Sequence, residues 1–331
     1  MTAALPEIEV GESGLAERGR SRIPGVSAIR ATSGFQRGML FAGLIIVTFF
    51  FILAIFAPVI APYTFDAASA HGKDFGTLMP PSSEHWFGTT VSGTDVLSRV
   101  VYGARTALEV IVLAVLLSIV IGVPAGLISG YFGGWVDRVL VLVTDALFAF
   151  PSLLLAIVIE VSISNGRSSK NASILSTAVA ITVIYVPQYF RVVRNATVAA
   201  REEPYVEAAR ALGARPGAIM RRYVFGNVAQ TVPVIATLNA GDAILTLAGL
   251  GFLGFGIEPT SAAEWGYDLQ KALSDTAAGI WWTGLFPGLA IVTLVVGVTL
   301  VGESLNDVLN PLLRTTKLQQ VVLPARRKAS K

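Results

Sequence analysis

The feature that most constrains this chain is an uncharged apolar run of 23 residues, Met39 to Ala61. A helix needs roughly 20 apolar residues to cross the hydrocarbon core of a bilayer, so the run predicts a membrane span. A cleaved leader is the alternative, but its apolar segment would be only about 7 to 15 residues long. Here 38 residues precede the run and no clear small-residue cleavage site follows. The expectation is a retained span.

Five further spans are expected, at about 106–130, 138–160, 173–193, 227–253 and 280–302. Composition agrees, with 53% hydrophobic and 14% charged residues, against about a quarter charged in soluble domains. The absence of cysteine excludes disulfides, thiolate metal sites and cysteine nucleophiles. The expected fold class is an all-α membrane protein with six transmembrane helices. Its parts are an N-terminal tail (1–38), a first span (39–61), an external segment (62–105), a five-helix core (106–302) containing a charged loop at 201–222, and a C-terminal tail (303–331).

An even number of spans puts both termini on one side. That side carries nineteen of the 25 lysines and arginines, seven of them between Arg191 and Arg222. The positive-inside rule makes it cytoplasmic. The other six are Lys73, Arg99, Arg105, Arg167, Lys170 and Lys271.

Within the second span Gly122, Gly126, Gly130 and Gly134 recur every four residues, a stripe that allows another backbone to approach. Gly284 and Gly288 repeat the device more briefly. Pro124, Pro151, Pro187, Pro233 and Pro287 fall in or at the ends of spans, where a missing amide donor kinks a helix. Asp145, Asn239 and Asp242 are intramembrane polar groups, expensive in lipid unless they face a cavity or a partner. Two readings stay open for them: a substrate pathway, or helix-to-helix hydrogen bonds.

The charged loop reads REEPYVEAARALGARPGAIMRRYVFGN from Arg201 to Asn227 and predicts two short helices with a turn. Pro204 suits a first helical position, with Glu202 and Glu203 at the positive end of the dipole. Gly213 suits a left-handed C-terminal stop, and Pro216 begins the next helix. Tyr205, Ala208, Ala209 and Leu212 follow the i, i+3, i+4, i+7 spacing of one face, flanked by Glu207 and Arg210. From the residues alone this face either docks a partner or rests on the bilayer.

The run EAARALG, Glu207 to Gly213, resembles the EAA loop of permease subunits from bacterial ATP-binding-cassette importers. Three further blocks, His85 to Leu108, Gly130 to Ile157 and Leu285 to Arg314, are similar to the C-type permease of dipeptide and oligopeptide importers. The resemblance implies a type I importer permease fold, with Tyr205, Glu207, Ala208, Ala209, Leu212 and Gly213 as the coupling set that seats in an ATPase subunit. The sequence departs from the family pattern at Ser92-Gly93-Thr94-Asp95, where an arginine is missing, at Leu247, where an acid is common, and at the loop exit, Phe225-Gly226-Asn227.

No G-x-x-x-x-G-K-[ST] phosphate loop occurs in the chain. ATP and Mg are therefore expected in partner ATPase subunits, with no cofactor held here. The partners implied are a homologous second permease subunit, two ATPases, an extracytoplasmic substrate-binding protein and membrane lipids, but no nucleic acid. The implied substrates are dipeptides or short oligopeptides, with nickel or glutathione as alternatives within the family. Asp66, Asp74, Glu84, Asp95, Glu258, Glu264, Asp268 and Asp275 make the external segments acidic, either to receive a basic partner or merely as solvated loops. His71 and His85 lack ligand spacing, so no metal site is expected. Arg326, Arg327 and Lys328 suit anionic lipid.

Two other classes fit an apolar bundle with intramembrane carboxylates. An ion-coupled secondary transporter would use Asp145 and Asp242 at broken helices but leaves the loop unexplained. An intramembrane protease would need a catalytic pair whose flanking patterns are absent, so no catalytic residue is assigned.

Overall fold

A computed structural model describes residues 34–70, 72–164 and 169–309. Most of both tails, His71, Arg167 and the basic residues Arg326, Arg327 and Lys328 lie outside the described residues.

The helices are α1 (Gly34–Ile55), α2 (Ala57–Ile60), α3 (Val96–Phe132), α4 (Gly134–Phe148), α5 (Ser152–Ser164) and α6 (Lys170–Arg201). After these come α7 (Pro204–Ala211), α8 (Pro216–Ile219), a π turn at Met220–Val224, α9 (Phe225–Val228), α10 (Val232–Phe252), α11 (Trp265–Ala277) and α12 (Trp282–Leu309). A two-stranded antiparallel hairpin, β1 (Ser69–Ala70) and β2 (Lys73–Asp74), sits between α2 and α3. Among the described residues five helices are long and apolar enough to span a bilayer, or six if α4 and α5 count as one span.

The expected span at 138–160 is this bent pair, in which α4 and α5 meet at 95°. The bend falls at Ala149-Phe150-Pro151. Pro151 cannot donate to the α4 ladder and disfavours helical geometry in the residue before it.

The second span starts earlier than 106 because Asp95 caps α3, accepting from the Ser98 amide and hydroxyl at 2.8 Å each. At 37 residues α3 is about 55 Å long, far more than a ~30 Å hydrocarbon core requires. It carries the fold well beyond the apolar zone.

The longest seam in the bundle runs between α3 and α6. A Cβ at Gly122 would meet Val186 O at 3.0 Å, and one at Gly126 would meet Phe190 O at 2.8 Å. At Gly130 it would meet Arg194 O at 2.7 Å. Only hydrogen fits at these three positions. Gly134 does not belong to the stripe. Nothing lies within 4 Å of its Cβ position, and with Gly133 it forms a turn at φ +64° and +61° that separates α3 from α4.

Around this seam α12 packs against α1, α10 and α11, and α5 against α6. The segment between α2 and α3 docks on the start of α12: Trp282 Nε1 donates to Thr89 O at 3.2 Å. Phe87 stacks on Phe286 at 3.8 Å between ring centroids.

Candidate functional site

The loop that leaves α6 is an anchored helical hairpin. Pro204 takes the first turn of α7, and the end is a Schellman stop in which Ala214 N donates to Ala209 O and Gly213 N to Arg210 O. Gly213 stands at φ +79° with open space around it. Its backbone angle, not crowding, is what calls for glycine.

The expected face of α7 divides in two. Tyr205, Glu207, Ala208 and Leu212 are exposed, Leu212 at 88%. Ala209 points the other way: it is buried with Val206 and joins Ala200, Ile219, Val224 and Val228 in the core. An eight-residue helix that lies on the bundle must spend one stripe on anchorage, and Val206 and Ala209, three apart, form that stripe. The i, i+3, i+4, i+7 pattern does not include Val206; the available signal was that it is the one branched aliphatic residue of α7 and sits one turn from Ala209.

The altered exit also has a local role. Asn227 Nδ2 donates to the Tyr205 hydroxyl at 2.8 Å, joining α9 to α7. The root of the loop is tied back by arginines. Arg201 Nη1 donates to Gly130 O at 2.9 Å. Arg194 grips Asp137 in a two-pronged pair, Nη2 to Oδ2 at 2.7 Å, and Ser129 donates to the same carboxylate. Displacement of α7 therefore meets a braced junction of α3, α4 and α6.

The three intramembrane candidates separate. Asp145 accepts from Arg191 at 2.8 Å, and Arg191 also lies over the Phe148 ring at 3.9 Å. Asp145 thus links α4 to α6 through Arg191, the contact expected of a carboxylate with a guanidinium one helix away. Asn239 and Asp242 share one region of α10. Asp242 is exposed along a spanning helix, and Thr246, one turn on, hydrogen-bonds the Tyr185 hydroxyl at 3.0 Å. Asn239 is buried, with its Nδ2 lacking a hydrogen-bond partner among the described residues.

At the end of the bundle opposite the loop, buried charges hold α11 to α3. Arg99 Nε donates to Asp268 at 2.8 Å and Nη1 to Phe65 O at 3.2 Å. Glu264 caps α11, accepting from Gly266 N at 2.8 Å and Tyr267 N at 2.7 Å. Burial pushes its carboxyl up to about 8, against the pull of those two amides. His85 Nδ1 lies 2.9 Å from Asp95 Oδ1, so both residues are structural. Sequence alone places these acids in external segments, as a surface for a basic partner or as solvated loops, and does not show that they are buried. The available signal was Asp95 and Glu264 standing immediately before helical runs, in N-cap positions.

Long apolar helices with an anchored and exposed helical hairpin at one end define a polytopic membrane protein. The chain belongs to the family of binding-protein-dependent transport system inner membrane components, whose pattern it matches over residues 122–315. Residues 35–81 match the N-terminal transmembrane domain of oligopeptide transport permease C. It is a permease subunit of an ATP-binding-cassette importer of the C type, with the all-α fold of that class.

Among its relatives, the dipeptide transport system permease protein of Alkalihalophilus pseudofirmus is 40% identical over 276 residues, 82% of this chain and 86% of that one. A glutathione transport system permease protein of Pectobacterium atrosepticum is 35% identical, covering 71% of this chain and 75% of its own. One from Escherichia coli is 34% identical, covering 84% and 88%.

Proposed function

We propose that this chain lines half of the translocation pathway for dipeptides or short oligopeptides and couples to separate ATPase subunits through α7. A homologous second permease completes the pathway, and two ATPases that use ATP and Mg lie beneath. An extracytoplasmic binding protein delivers substrate from above. This chain holds no cofactor of its own, and both termini are cytoplasmic, on the side rich in arginine and lysine.

The observation that carries the coupling role is the split face of α7: Tyr205, Glu207, Ala208 and Leu212 stand outward while Val206 and Ala209 fasten the helix to the core. A protein-docking helix needs both faces. A helix resting on lipid would present its apolar stripe to the bilayer, whereas here the buried stripe is spent on the bundle.

Within the bundle, Asp242 is the residue that meets a peptide's ammonium group, with Asn239, Thr246 and Tyr185 as its polar surroundings. An exposed carboxylate on a spanning helix is costly in lipid and pays only where it faces a water-filled path or a partner. Glutathione is a second reading, supported by relatives named for its transport; it too carries a free ammonium.

The test replaces Glu207 or Gly213 with leucine and follows uptake beside membrane insertion. Uptake is abolished and insertion is intact. Wild-type transport by these variants would sink the coupling role, and uptake that survived ATP depletion but collapsed with the proton gradient would favour an ion-coupled carrier. Asp242→Asn tests the pathway role, and wild-type uptake assayed with dipeptides and with glutathione separates the two substrates.

A further inference from the structure

At the end of the bundle opposite the coupling loop, α1, α3 and α6 leave a groove of about 830 Å³ between them. Its α3 wall is Arg105, Leu108, Glu109, Val112, Leu113 and Leu116, spaced three and four apart on one helix face. From Arg105 to Leu116 that face runs about 16 Å along the axis. Phe51 and Ile55 of α1 and Ile174 of α6 line the other sides.

One end of the groove is charged and the rest is apolar. Glu109 Oε1 accepts from Arg105 Nε at 2.9 Å, and Glu109 Oε2 lies 3.2 Å from Lys170 Nζ. Both carboxylate oxygens are engaged, so the cluster keeps one surplus positive charge. The two Nη groups of Arg105 have no partner among the described residues. All three charged side chains are partly exposed, and so, further along, are the apolar Ile55, Val112 and Leu116.

The helices agree on where this end lies in a bilayer. Arg105 stands just before the apolar stretch of α3, α6 begins at Lys170, and α1 ends at Ile55. Hydrocarbon gives way to headgroups at that level. A surplus cation with free N–H donors there, above a trough of apolar side chains, matches a molecule with one negative charge and a long apolar tail. The guanidinium fork suits phosphate, and the volume falls within the roughly 300–1,000 Å³ of small-molecule sites. A zwitterionic headgroup fits less well, because its ammonium would meet Arg105 and Lys170 with Glu109 already engaged. A helix of a partner subunit would have to bring an acid to this level or enclose the surplus charge unpaired, which is costly.

We propose that this groove holds one anionic phospholipid, its phosphate on Arg105 and Lys170 and an acyl chain along Leu108, Val112 and Leu116. The site requires only that these helices span a bilayer, so it stands whatever substrate is carried.

The test uses the assembled transporter in nanodiscs of phosphatidylcholine doped with phosphatidylglycerol, with bound lipid counted by native mass spectrometry. Wild type keeps one phosphatidylglycerol after release. Arg105→Gln, which leaves Glu109 its Lys170 partner, weakens that retention about 10- to 100-fold, the range for losing a hydrogen bond to a charged group. Val112→Trp fills the trough with every charge in place and loses the same lipid. Leu116→Trp takes its part if Val112→Trp assembles poorly.

Retention unchanged in Arg105→Gln and in the trough variant overturns the site. Loss in Arg105→Gln alone also overturns it, because the headgroup then binds without a chain in the groove. Glycerol phosphate that binds as tightly as the lipid does the same, since it makes the cluster a plain anion site. The chain has no cysteine, so Val112→Cys carries a photoreactive label at one position: transfer to phospholipid supports the site, and transfer to the second permease subunit overturns it. None of these readouts involves uptake or ATPase activity, so the lipid site and the importer proposal fail separately.

Discussion

Replacing Gly126 with alanine asks how closely α3 and α6 lie. The added Cβ would sit 2.8 Å from Phe190 O and 2.9 Å from Val193 Cβ. Both neighbours belong to the core of α6 and cannot swing away, so the helices must part by about half an ångström. A gap of that size forfeits about a quarter of the dispersion attraction for each contact along the seam. Overpacking of this kind costs about 1 to 3 kcal/mol, a fall in melting temperature of about 2 to 10 °C. Gly288→Ala is the control. Its Cβ would meet only Leu269 Cδ2, at an ordinary 3.7 Å, so the gain of about 0.5 to 1 kcal/mol in helix propensity leaves it neutral or slightly stabilised. Gly122 and Gly126 share one seam, so the double alanine variant loses less than the sum of the singles, the first separation relieving the second. Thermal denaturation of the transporter in nanodiscs reads wild type and all four variants. If Gly126→Ala melts with wild type, as Gly288→Ala does, the close-approach account is wrong.

Two further outcomes follow from particular contacts. Glu264 titrates at about 8 in the fold against 4.5 as the ordinary value, so between those pH values the native state keeps a proton that the unfolded chain has lost. Its contribution to stability is complete below pH 4.5, declines as pH rises and is gone above about 8; Glu264→Gln flattens this part of the melting-against-pH curve, and an unchanged slope refutes the assignment. Asn227→Ala removes the 2.8 Å bond to Tyr205. A neutral hydrogen bond of about 0.5 to 1.5 kcal/mol then loosens α7 enough to lower uptake about 2- to 10-fold while the ATPases still co-purify; full uptake would show that the exit does not steady the coupling helix.

Much of this was legible because its cause is local in the chain. Length without charge identifies Met39 to Ala61 as a span, since solvation of each residue by lipid depends on that residue and its near neighbours. Pro204, Gly213 and Pro216 announce the loop's helices and stop, because each acts on its own backbone. The three-glycine seam could be read from spacing alone. Gly134 could not be separated from it, because a periodic pattern does not reveal that the helix has ended two residues earlier, at Phe132.

What the sequence by itself determined, then, is the apolar bundle, its charge asymmetry and the helical hairpin that leaves it. Only the tertiary structure decided which face of α7 is spent on anchorage, that Asp145 belongs to Arg191, and that Arg99 and Asp268, 169 residues apart in sequence, meet inside the protein. Side-chain partnership depends on distances across helices, and an isolated helix carries no record of which neighbour will lie against it.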